Sequence, residues 1–234
     1  MKIGGIQKMT LLDFPDKISA VIFAAGCNFR CGFCHNPEFV LPEKIRALEK
    51  FLIPEKKILN FLDSRKNFLD GVVVSGGEPT LQKNLIPFLR KIRAKNFLIK
   101  LDTNGSRPEI LEKIFAENLV DFVAMDIKNS PENYDEICGT KIDFAAIEKS
   151  KNLILQNKKI AHEFRTTVVR GFHDAKNFKK ICEFCNGAKK FSIQNFRPQK
   201  TLQKNFEKIV PFSDSEILEF EKIAQKFFKN VRIF

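Results

Sequence analysis

The amino-acid sequence predicts an α/β fold with about six parallel strands, arranged as an incomplete (β/α)6 TIM-like barrel. Short apolar, β-branched runs alternate along the chain with amphipathic segments of helical period. This alternation is typical of parallel strands joined by right-handed helical crossovers. An open, doubly wound sheet is the alternative arrangement of the same pattern. The sequence contains no repeat and no long linker, so we predict one domain over residues 1–234.

The predicted strands are the runs in which nearly every residue is apolar, as expected for strands buried on both faces. They are residues 18–24, 71–75, 97–102, 122–127, 164–169 and 191–195. The predicted helices are the amphipathic segments between them, at residues 84–95, 108–118, 144–156, 174–186 and 213–228. In the first of these segments, Leu85, Leu89 and Ile92 share one face at helical spacing. Each segment therefore has a face that can cover the sheet.

Polar residues follow nearly every predicted strand, which is where sheets of this kind bind their ligands. The stretches at the strand ends are, in order, "CNFRCGFCHN" (27–36), "SGGEP" (75–79), "DTNG" (102–105), "MDIK" (125–128), Arg165 and "QNFRP" (194–198). Because the carboxyl ends of parallel strands meet at one edge of a sheet, we expect these side chains to lie close together.

Three cysteines, Cys27, Cys31 and Cys34, lie within eight positions of the first loop. A disulfide would leave one thiol over, and thiols stay reduced in the cytosol. A zinc ion needs a fourth ligand, and His35 directly follows Cys34, although adjacent residues rarely reach one tetrahedral ion together. An iron–sulfur cluster held by three thiolates keeps one iron open for a substrate or cofactor. Both metal interpretations are left open by the cysteines alone.

The net charge of +12 raises the question of a nucleic-acid or membrane partner. The lysines are spread along helical stretches beside acidic residues, which favours solvated helix faces instead. The apolar run at residues 18–25 is too short to span a bilayer, and Asp13 and Asp16 precede it. We therefore predict a cytoplasmic protein with neither a membrane nor a nucleic-acid partner. A zinc-dependent nucleic-acid-binding module is the alternative from another class.

The cysteine spacing C-x3-C-x2-C, with Phe33 before the third cysteine, resembles the signature of radical S-adenosylmethionine enzymes. "SGGEP" resembles the second motif of that superfamily. The opening "GGIQKMTLLDFPDKISAVIFAAGCNFRCGFCHNPEFV" is similar to that of the activating proteins of anaerobic ribonucleoside-triphosphate reductase. "LDTNG", "MDIK", "RTTVVRG" and "QNFRP" resemble later motifs of the wider glycyl-radical-enzyme activase group. The likeness covers nearly the whole chain.

This resemblance implies the radical S-adenosylmethionine fold and an oxidoreductase activity. The enzyme would use a [4Fe–4S] cluster and S-adenosylmethionine to generate a 5′-deoxyadenosyl radical. That radical would install a glycyl radical on anaerobic ribonucleotide reductase, with a low-potential electron donor such as flavodoxin or ferredoxin. The alternatives are activation of another glycyl radical enzyme of the formate-lyase type, or small-molecule chemistry as in the deazaguanine-forming synthases.

The resemblance also implies roles for individual residues. Cys27, Cys31 and Cys34 would hold the cluster. The cofactor-binding residues would be Phe33, His35, Gly76, Gly77, Glu78, Asp126, Lys128, Arg165 and Arg197. The two glycines would let the backbone approach the cofactor, and Glu78 would face its ammonium group. The alternatives are a tight turn at Gly76, a satisfied loop histidine at His35 and an internal Asp126–Lys128 ion pair.

Asp102, Thr103 and Asp126 match a group that binds a monovalent cation beside the cofactor carboxylate in the formate-lyase activases. A plain Asx or ST turn around "DTNG" is the alternative interpretation. Asp13 falls near an aspartate that faces the substrate peptide in the same group, although its spacing to Cys27 differs by one. The remaining cysteines, Cys138, Cys182 and Cys185, are predicted to be structural.

Overall fold

The computed structural model describes residues 1–234, and its strands form one sheet whose spatial order follows the sequence. The strands are β1 (Ile3–Thr10), β2 (Ser19–Ala24), β3 (Gly71–Gly76), β4 (Leu98–Thr103), β5 (Phe122–Asp126), β6 (Ala161–Val168), β7 (Lys190–Asn195) and β8 (Asn230–Ile233). β1 pairs antiparallel with β2, and every later pair is parallel. The predicted α/β fold is therefore confirmed, and β2 to β7 are its six predicted strands.

The helices lie in the connections between the strands. They are α1 (Pro42–Leu48), α2 (Glu55–Asp63), α3 (Leu85–Arg93), α4 (Pro108–Ala116), α5 (Tyr134–Cys138), α6 (Phe144–Gln156), α7 (Ala175–Phe184) and α8 (Asp214–Ala224). The five predicted helices correspond to α3, α4, α6, α7 and α8. Side-chain caps mark the starts of three of them, with Asp143, Asp174 and Ser213 accepting from the backbone of the first turn. No helix is both long and apolar enough to cross a membrane.

Both edge strands were absent from the sequence prediction. β1 contains two glycines and exposes three consecutive residues near its end, so it shows no apolar run. β8 has four residues, three of them exposed. These strands do not pair with each other, so the sheet curves without closing. The barrel is therefore incomplete, with a lateral gap between β1 and β8.

The interior of the curved sheet is divided into an apolar and a polar layer. Phe14, Val21, Val73, Phe122 and Ala124 pack together and fill the lower part. Side chains alternate along a strand, so the polar residues two positions further along β4 and β5 point into the space above this cluster. Phe14 comes from the loop between β1 and β2 and closes the lower end. The candidate site therefore lies at the carboxyl ends of the strands.

Candidate active site

A cavity of about 490 Å³ opens at the carboxyl ends of the parallel strands. The predicted site residues that line it are Cys27, Cys31, Phe33, Cys34, His35, Gly76, Gly77, Glu78, Asp102, Thr103, Asp126, Lys128, Arg165 and Arg197. Asp13 does not line it; its carboxylate accepts a hydrogen bond from the Thr10 hydroxyl at 2.6 Å. Leu12, the residue before Asp13, lines the cavity instead. The structure thus brings together every predicted site residue except Asp13.

The cysteine loop follows β2 and is folded by contacts to its own backbone. The Arg30 guanidinium donates to the carbonyl oxygens of Cys27 at 2.7 Å and Phe29 at 2.8 Å. The amide of Cys34 donates to the Cys31 carbonyl at 3.0 Å. The amide of Arg30 donates to the Cys138 carbonyl at 2.8 Å, which joins the loop to the end of α5. The three thiols are therefore held on one side of the cavity, and all three are free.

The thiols differ in their electrostatic surroundings. Burial raises the pKa of Cys27 to about 12, and burial also raises the pKa of Cys34. A hydrogen bond from the Cys138 thiol, with help from Lys128, lowers the pKa of Cys31 despite its burial. No three His, Cys, Asp or Glu side chains converge as a single metal ion would need. Three soft sulfur donors spread around one cavity fit a polynuclear iron–sulfur cluster better than zinc.

Gly76 and Gly77 bring the end of β3 against the cysteine loop. The amide of Gly77 donates to the Ala24 carbonyl at 2.8 Å, and that of Glu78 donates to the Gly26 carbonyl at 2.7 Å. A Cβ at Gly76 would collide with the Ala24 backbone, and one at Gly77 with the Gly26 carbonyl. Gly76 also has a φ of 115°. These glycines are therefore required for a backbone contact inside the protein. We refer to the three cysteines with Gly76 and Gly77 as the thiol wall.

The Glu78 carboxylate is buried and joins β3 to the end of β4. It accepts hydrogen bonds from the Thr103 hydroxyl at 2.8 Å, the Asn104 amide at 2.6 Å and the Thr80 amide at 3.0 Å. Burial raises its pKa, and these hydrogen bonds act in the opposite direction. Asn104 in turn donates to the Asn28 side chain of the cysteine loop at 3.0 Å. The sequence did not indicate this role for Glu78, because its partners come from the next strand.

Five charged side chains form a continuous ladder across β4, β5 and β6, which we call the charged wall. Lys100 contacts Asp102 at 2.5 Å, and Arg165 lies between Asp102 at 3.3 Å and Asp126 at 2.8 Å. Lys128 contacts the other oxygen of Asp126 at 3.0 Å. The strand register explains the centre of the ladder, because Asp126 and Arg165 are paired neighbours on β5 and β6.

The charged wall contains three cations and two carboxylates, which leaves one net positive charge. Burial alone would raise the pKa of Asp126, but Arg165 and Lys128 hold it well below its usual range. Burial opposes the charges of Arg165 and Lys128, yet the carboxylates raise both pKa values above their usual range. Asp126, Arg165 and Lys128 are therefore ionised. The excess positive charge of the wall favours an anionic group in the cavity.

Aromatic rings form the third side of the cavity. The His35 ring stacks on Phe196 with centroids 5.8 Å apart, and its Nε2–H donates to the Arg197 carbonyl at 2.9 Å. The edge of Phe33 meets Phe196 at 6.5 Å. The Lys128 ammonium lies 5.8 Å from the centre of the Phe33 ring. These contacts bring the cysteine loop to the end of β7 and leave flat apolar surfaces beside the thiols.

The sequence prediction missed several residues that line the cavity. They are Leu12, Phe29, Asn36, Val40, Ser75, Asn104, Thr167, Gln194, Asn195 and Phe234. Ser75, Asn104, Gln194 and Asn195 stand within the polar strand ends and could have been included on that ground. Leu12 and Phe234 line the cavity from the side of the lateral gap. No local sequence pattern predicts that these two residues reach it. Lys100 was also missed, although a lysine inside an apolar strand is unusual.

The chain belongs to the Radical SAM superfamily, whose sequence pattern matches residues 21–185. Enzymes of this superfamily use a [4Fe–4S] cluster and S-adenosylmethionine, so these are the cofactors of this protein. The three free cysteines in one cavity and the net positive charged wall fit such cofactors. The zinc interpretation is therefore not retained.

Relatives identify the group within this superfamily. A protein of Methanocaldococcus jannaschii named as a glycyl-radical enzyme activating enzyme is 35% identical over 99% of this chain and 95% of its own length. The pyruvate formate-lyase-activating enzyme of Clostridium pasteurianum is 29% identical over 94% of this chain and 93% of the relative. The protein is therefore an enzyme of the glycyl-radical-enzyme activating group.

Solved structures share the fold. A domain of the pyruvate-formate lyase-activating enzyme of Bacteroides vulgatus has a TM-score of 0.57 at 18% identity, covering 70% of this chain and 98% of the domain. Coproporphyrinogen III oxidase of Escherichia coli, a radical SAM enzyme, has a TM-score of 0.64 at 15% identity, covering 92% of this chain and 53% of the oxidase. At such identities the comparison supports the radical SAM fold alone.

Proposed function

We propose that this enzyme installs a glycyl radical on an anaerobic ribonucleoside-triphosphate reductase in the cytoplasm, through one domain over residues 1–234. The observation that carries the proposal is a single cavity lined by three free cysteines and by a buried, net positive group of charges. The choice of the reductase rests on residues 4–40, whose sequence resembles the reductase-activating proteins. A formate-lyase-type partner is the alternative, supported by the clostridial relative.

Cys27, Cys31 and Cys34 would hold the cluster, because no other cysteine lines the cavity. With three protein ligands, the cluster would have one iron open to S-adenosylmethionine. When bound, these cofactors supply a reductively formed 5′-deoxyadenosyl radical that takes a hydrogen atom from a glycine Cα of the partner. The thiol wall would thus hold the cofactors where β2 and β3 end.

Arg165 and Lys128 would bind the cofactor carboxylate, because they are the cations of the charged wall that also line the cavity. A planar guanidinium suits bidentate contact with a carboxylate. Asp126 would hold both cations in place, since each of its oxygens accepts from one of them. The Phe33 and His35 rings, with Arg197, would provide the apolar contact for the adenine. Glu78 lines the same cavity, and contact between it and the cofactor ammonium stays a prediction.

A second cavity, of about 370 Å³, supports a route for the electron. It shares Cys27 and Val40 with the first cavity and is also lined by three cations and one carboxylate, Lys2, Arg30, Arg46 and Glu49. Its basic residues suit an acidic, low-potential donor such as flavodoxin or ferredoxin. We expect Arg46→Glu to slow cluster reduction by such a donor while leaving reduction by dithionite unchanged. Equal rates for the variant and the wild type with the protein donor would contradict this docking site.

The experiment that tests the function uses the anaerobically reconstituted chain. It should hold about four irons. With a reductant and S-adenosylmethionine, it should produce a glycyl-radical doublet in the electron paramagnetic resonance spectrum of an added reductase. A parallel sample receives pyruvate formate-lyase instead. A doublet with formate-lyase alone would favour the alternative partner, and cofactor cleavage without a doublet in either sample would favour a small-molecule substrate such as that of the deazaguanine-forming synthases.

Two cysteine variants control this experiment. Cys31→Ala should lose cluster binding and cofactor cleavage, because it removes one of the three proposed ligands. Cys182→Ala removes a buried thiol of α7 that lies outside the cavity, so its iron content should match that of the wild type. Equal iron contents in the two variants would refute the ligand assignment.

A further inference from the structure

One charged residue inside the barrel has no role in the activity described so far. Lys100 lies in the middle of β4, its side chain is 1% exposed, and its ammonium contacts Asp102 at 2.5 Å. Lysine is almost never fully buried unless its charge is paired. Lys100 does not line the cavity, so it acts through Asp102.

The oxygens of Asp102 and Thr103 are already engaged by donors within the chain. Lys100 donates to Oδ1 of Asp102, while Ser75 at 3.0 Å and Arg165 at 3.3 Å donate to Oδ2. The Thr103 hydroxyl donates to Glu78 at 2.8 Å, so it is directed toward the protein interior. A metal cation would find oxygen ligands whose lone pairs already face positive groups.

Asp126 completes the same arrangement. Its Oδ1 accepts from Arg165 at 2.8 Å and its Oδ2 from Lys128 at 3.0 Å. A monovalent metal ion between Asp102 and Asp126 would lie beside the Arg165 guanidinium, and like charges in a buried site repel strongly. The expected cation site at Asp102, Thr103 and Asp126 therefore does not fit a metal ion in this chain.

We propose that the Lys100 ammonium is the built-in monovalent cation of this site, so that S-adenosylmethionine binding requires neither potassium nor sodium. The inference rests on the proposed binding of the cofactor carboxylate at Arg165 and Lys128. An ammonium group is a compact point charge, comparable in this respect to an alkali ion. Lys100 is a positioning residue: it fixes the charge and orientation of Asp102, and Asp102 in turn orients Arg165.

The test compares the wild type with Lys100→Met, which keeps an unbranched side chain as far as Cε and removes the ammonium group. Lys190→Met is the matched control, because Lys190 is also paired inside the barrel, 3.8 Å from Glu163, and does not line the cavity. S-Adenosylmethionine binding to the reconstituted proteins is measured by calorimetry in potassium, sodium or choline chloride at equal ionic strength. Wild type and Lys190→Met should bind equally in all three salts. Lys100→Met should bind about tenfold more weakly in choline and recover in potassium.

A wild type that binds the cofactor several-fold more tightly in potassium than in choline would overturn the proposal. So would a Lys100→Met variant with unchanged affinity in choline. Lys100→Arg, which keeps the charge, should retain ion-independent binding and serves if the methionine variant does not fold.

A second measurement does not depend on the cofactors. The melting temperature of the cluster-free protein should be the same in potassium and choline for the wild type, and higher in potassium for Lys100→Met. A higher melting temperature of the cluster-free wild type in potassium than in choline would contradict the proposed role of Lys100, even if the cofactor binds. A chain that binds no S-adenosylmethionine in any salt, but melts independently of the cation, would contradict the proposed function alone.

Discussion

The thiol wall and the charged wall line the same cavity but are stabilised by different forces. The thiol wall depends on backbone hydrogen bonds from Gly77 and Glu78 to the β2 exit, made possible because Gly76 and Gly77 have no Cβ. The charged wall depends on side-chain ion pairs whose register is fixed by β5 and β6. The thiol wall still needs a metal group to bind its thiols. In the charged wall, ion pairs already neutralise all charges except one positive charge. One cavity thus combines a half that depends on a metal group with a half that is preorganised by ion pairs.

Within the charged wall, the substitution expected to lower the free energy of unfolding most is at Arg165. Arg165→Met leaves Asp102 and Asp126 without their shared partner, and loss of one member of a buried pair costs about 3–5 kcal/mol. Chemical denaturation of the cluster-free protein measures this loss. Arg90→Met is the control, since Arg90 pairs only with Glu117, at the surface at 2.7 Å. It should lose less than about 1 kcal/mol, and equal losses would show that the ladder contributes nothing special.

In the thiol wall, we expect a substitution at Gly76 to lower the free energy of unfolding. Gly76→Ala places a methyl group against the Ala24 backbone and also strains a φ of 115°. Gly171→Ala is matched to it, because Gly171 has a φ of 88° but no atom within 4 Å of the added Cβ. The control should lose about 1–2 kcal/mol from strain alone, and Gly76→Ala about 2 kcal/mol more from the collision. If denaturation gave the same loss for both, the close backbone contact would not hold the wall together.

The smallest of the predicted effects is a pH dependence of stability that comes from His173, whose ring contacts the backbone of Lys128. His173 donates from Nε2 to the Lys128 carbonyl and accepts from the Val169 amide at Nδ1, each at 3.0 Å. Burial lowers its pKa from 6.5 to about 4. Between these two pH values the folded state therefore binds fewer protons than the unfolded state. The contribution of His173 to the free energy of unfolding is fully present above pH 6.5 and falls as the pH decreases toward 4. We expect a loss of about 2 kcal/mol between pH 7 and 5.

Denaturation midpoints measured across this range test the assignment. His173→Gln should remove the part of the pH dependence between 7 and 5 that His173 contributes, because glutamine does not titrate there. The remainder would come from His162, whose pKa burial also lowers. An unchanged slope in the variant would assign the acid sensitivity to other groups. The thiol wall contains no histidine, so the His173→Gln substitution leaves its residues unchanged.

The strands β2 to β7 could be predicted because buried parallel strands are continuous apolar runs, and most site residues followed from their carboxyl ends. β1 and β8 could not, because an edge strand with one neighbour exposes much of its length. The direction of the Glu78 carboxylate depends on contacts between strands, which a single sequence does not give. Asp13 was expected to contact the substrate from its sequence position. The loop turns its carboxylate to Thr10 and presents Leu12 to the cavity.

The unclosed edge between β1 and β8 has a mechanical consequence. In a complete barrel, strand number and stagger fix the diameter, so the mouth cannot widen without breaking a hydrogen-bonded ladder. Here each terminal strand has one neighbour, and Leu12 and Phe234 border the cavity from the free side. Outward bending of these two strands would enlarge the entrance at no cost in interstrand bonds. A segment of a much larger folded protein could therefore reach the thiols sideways while the rest of that protein stays outside.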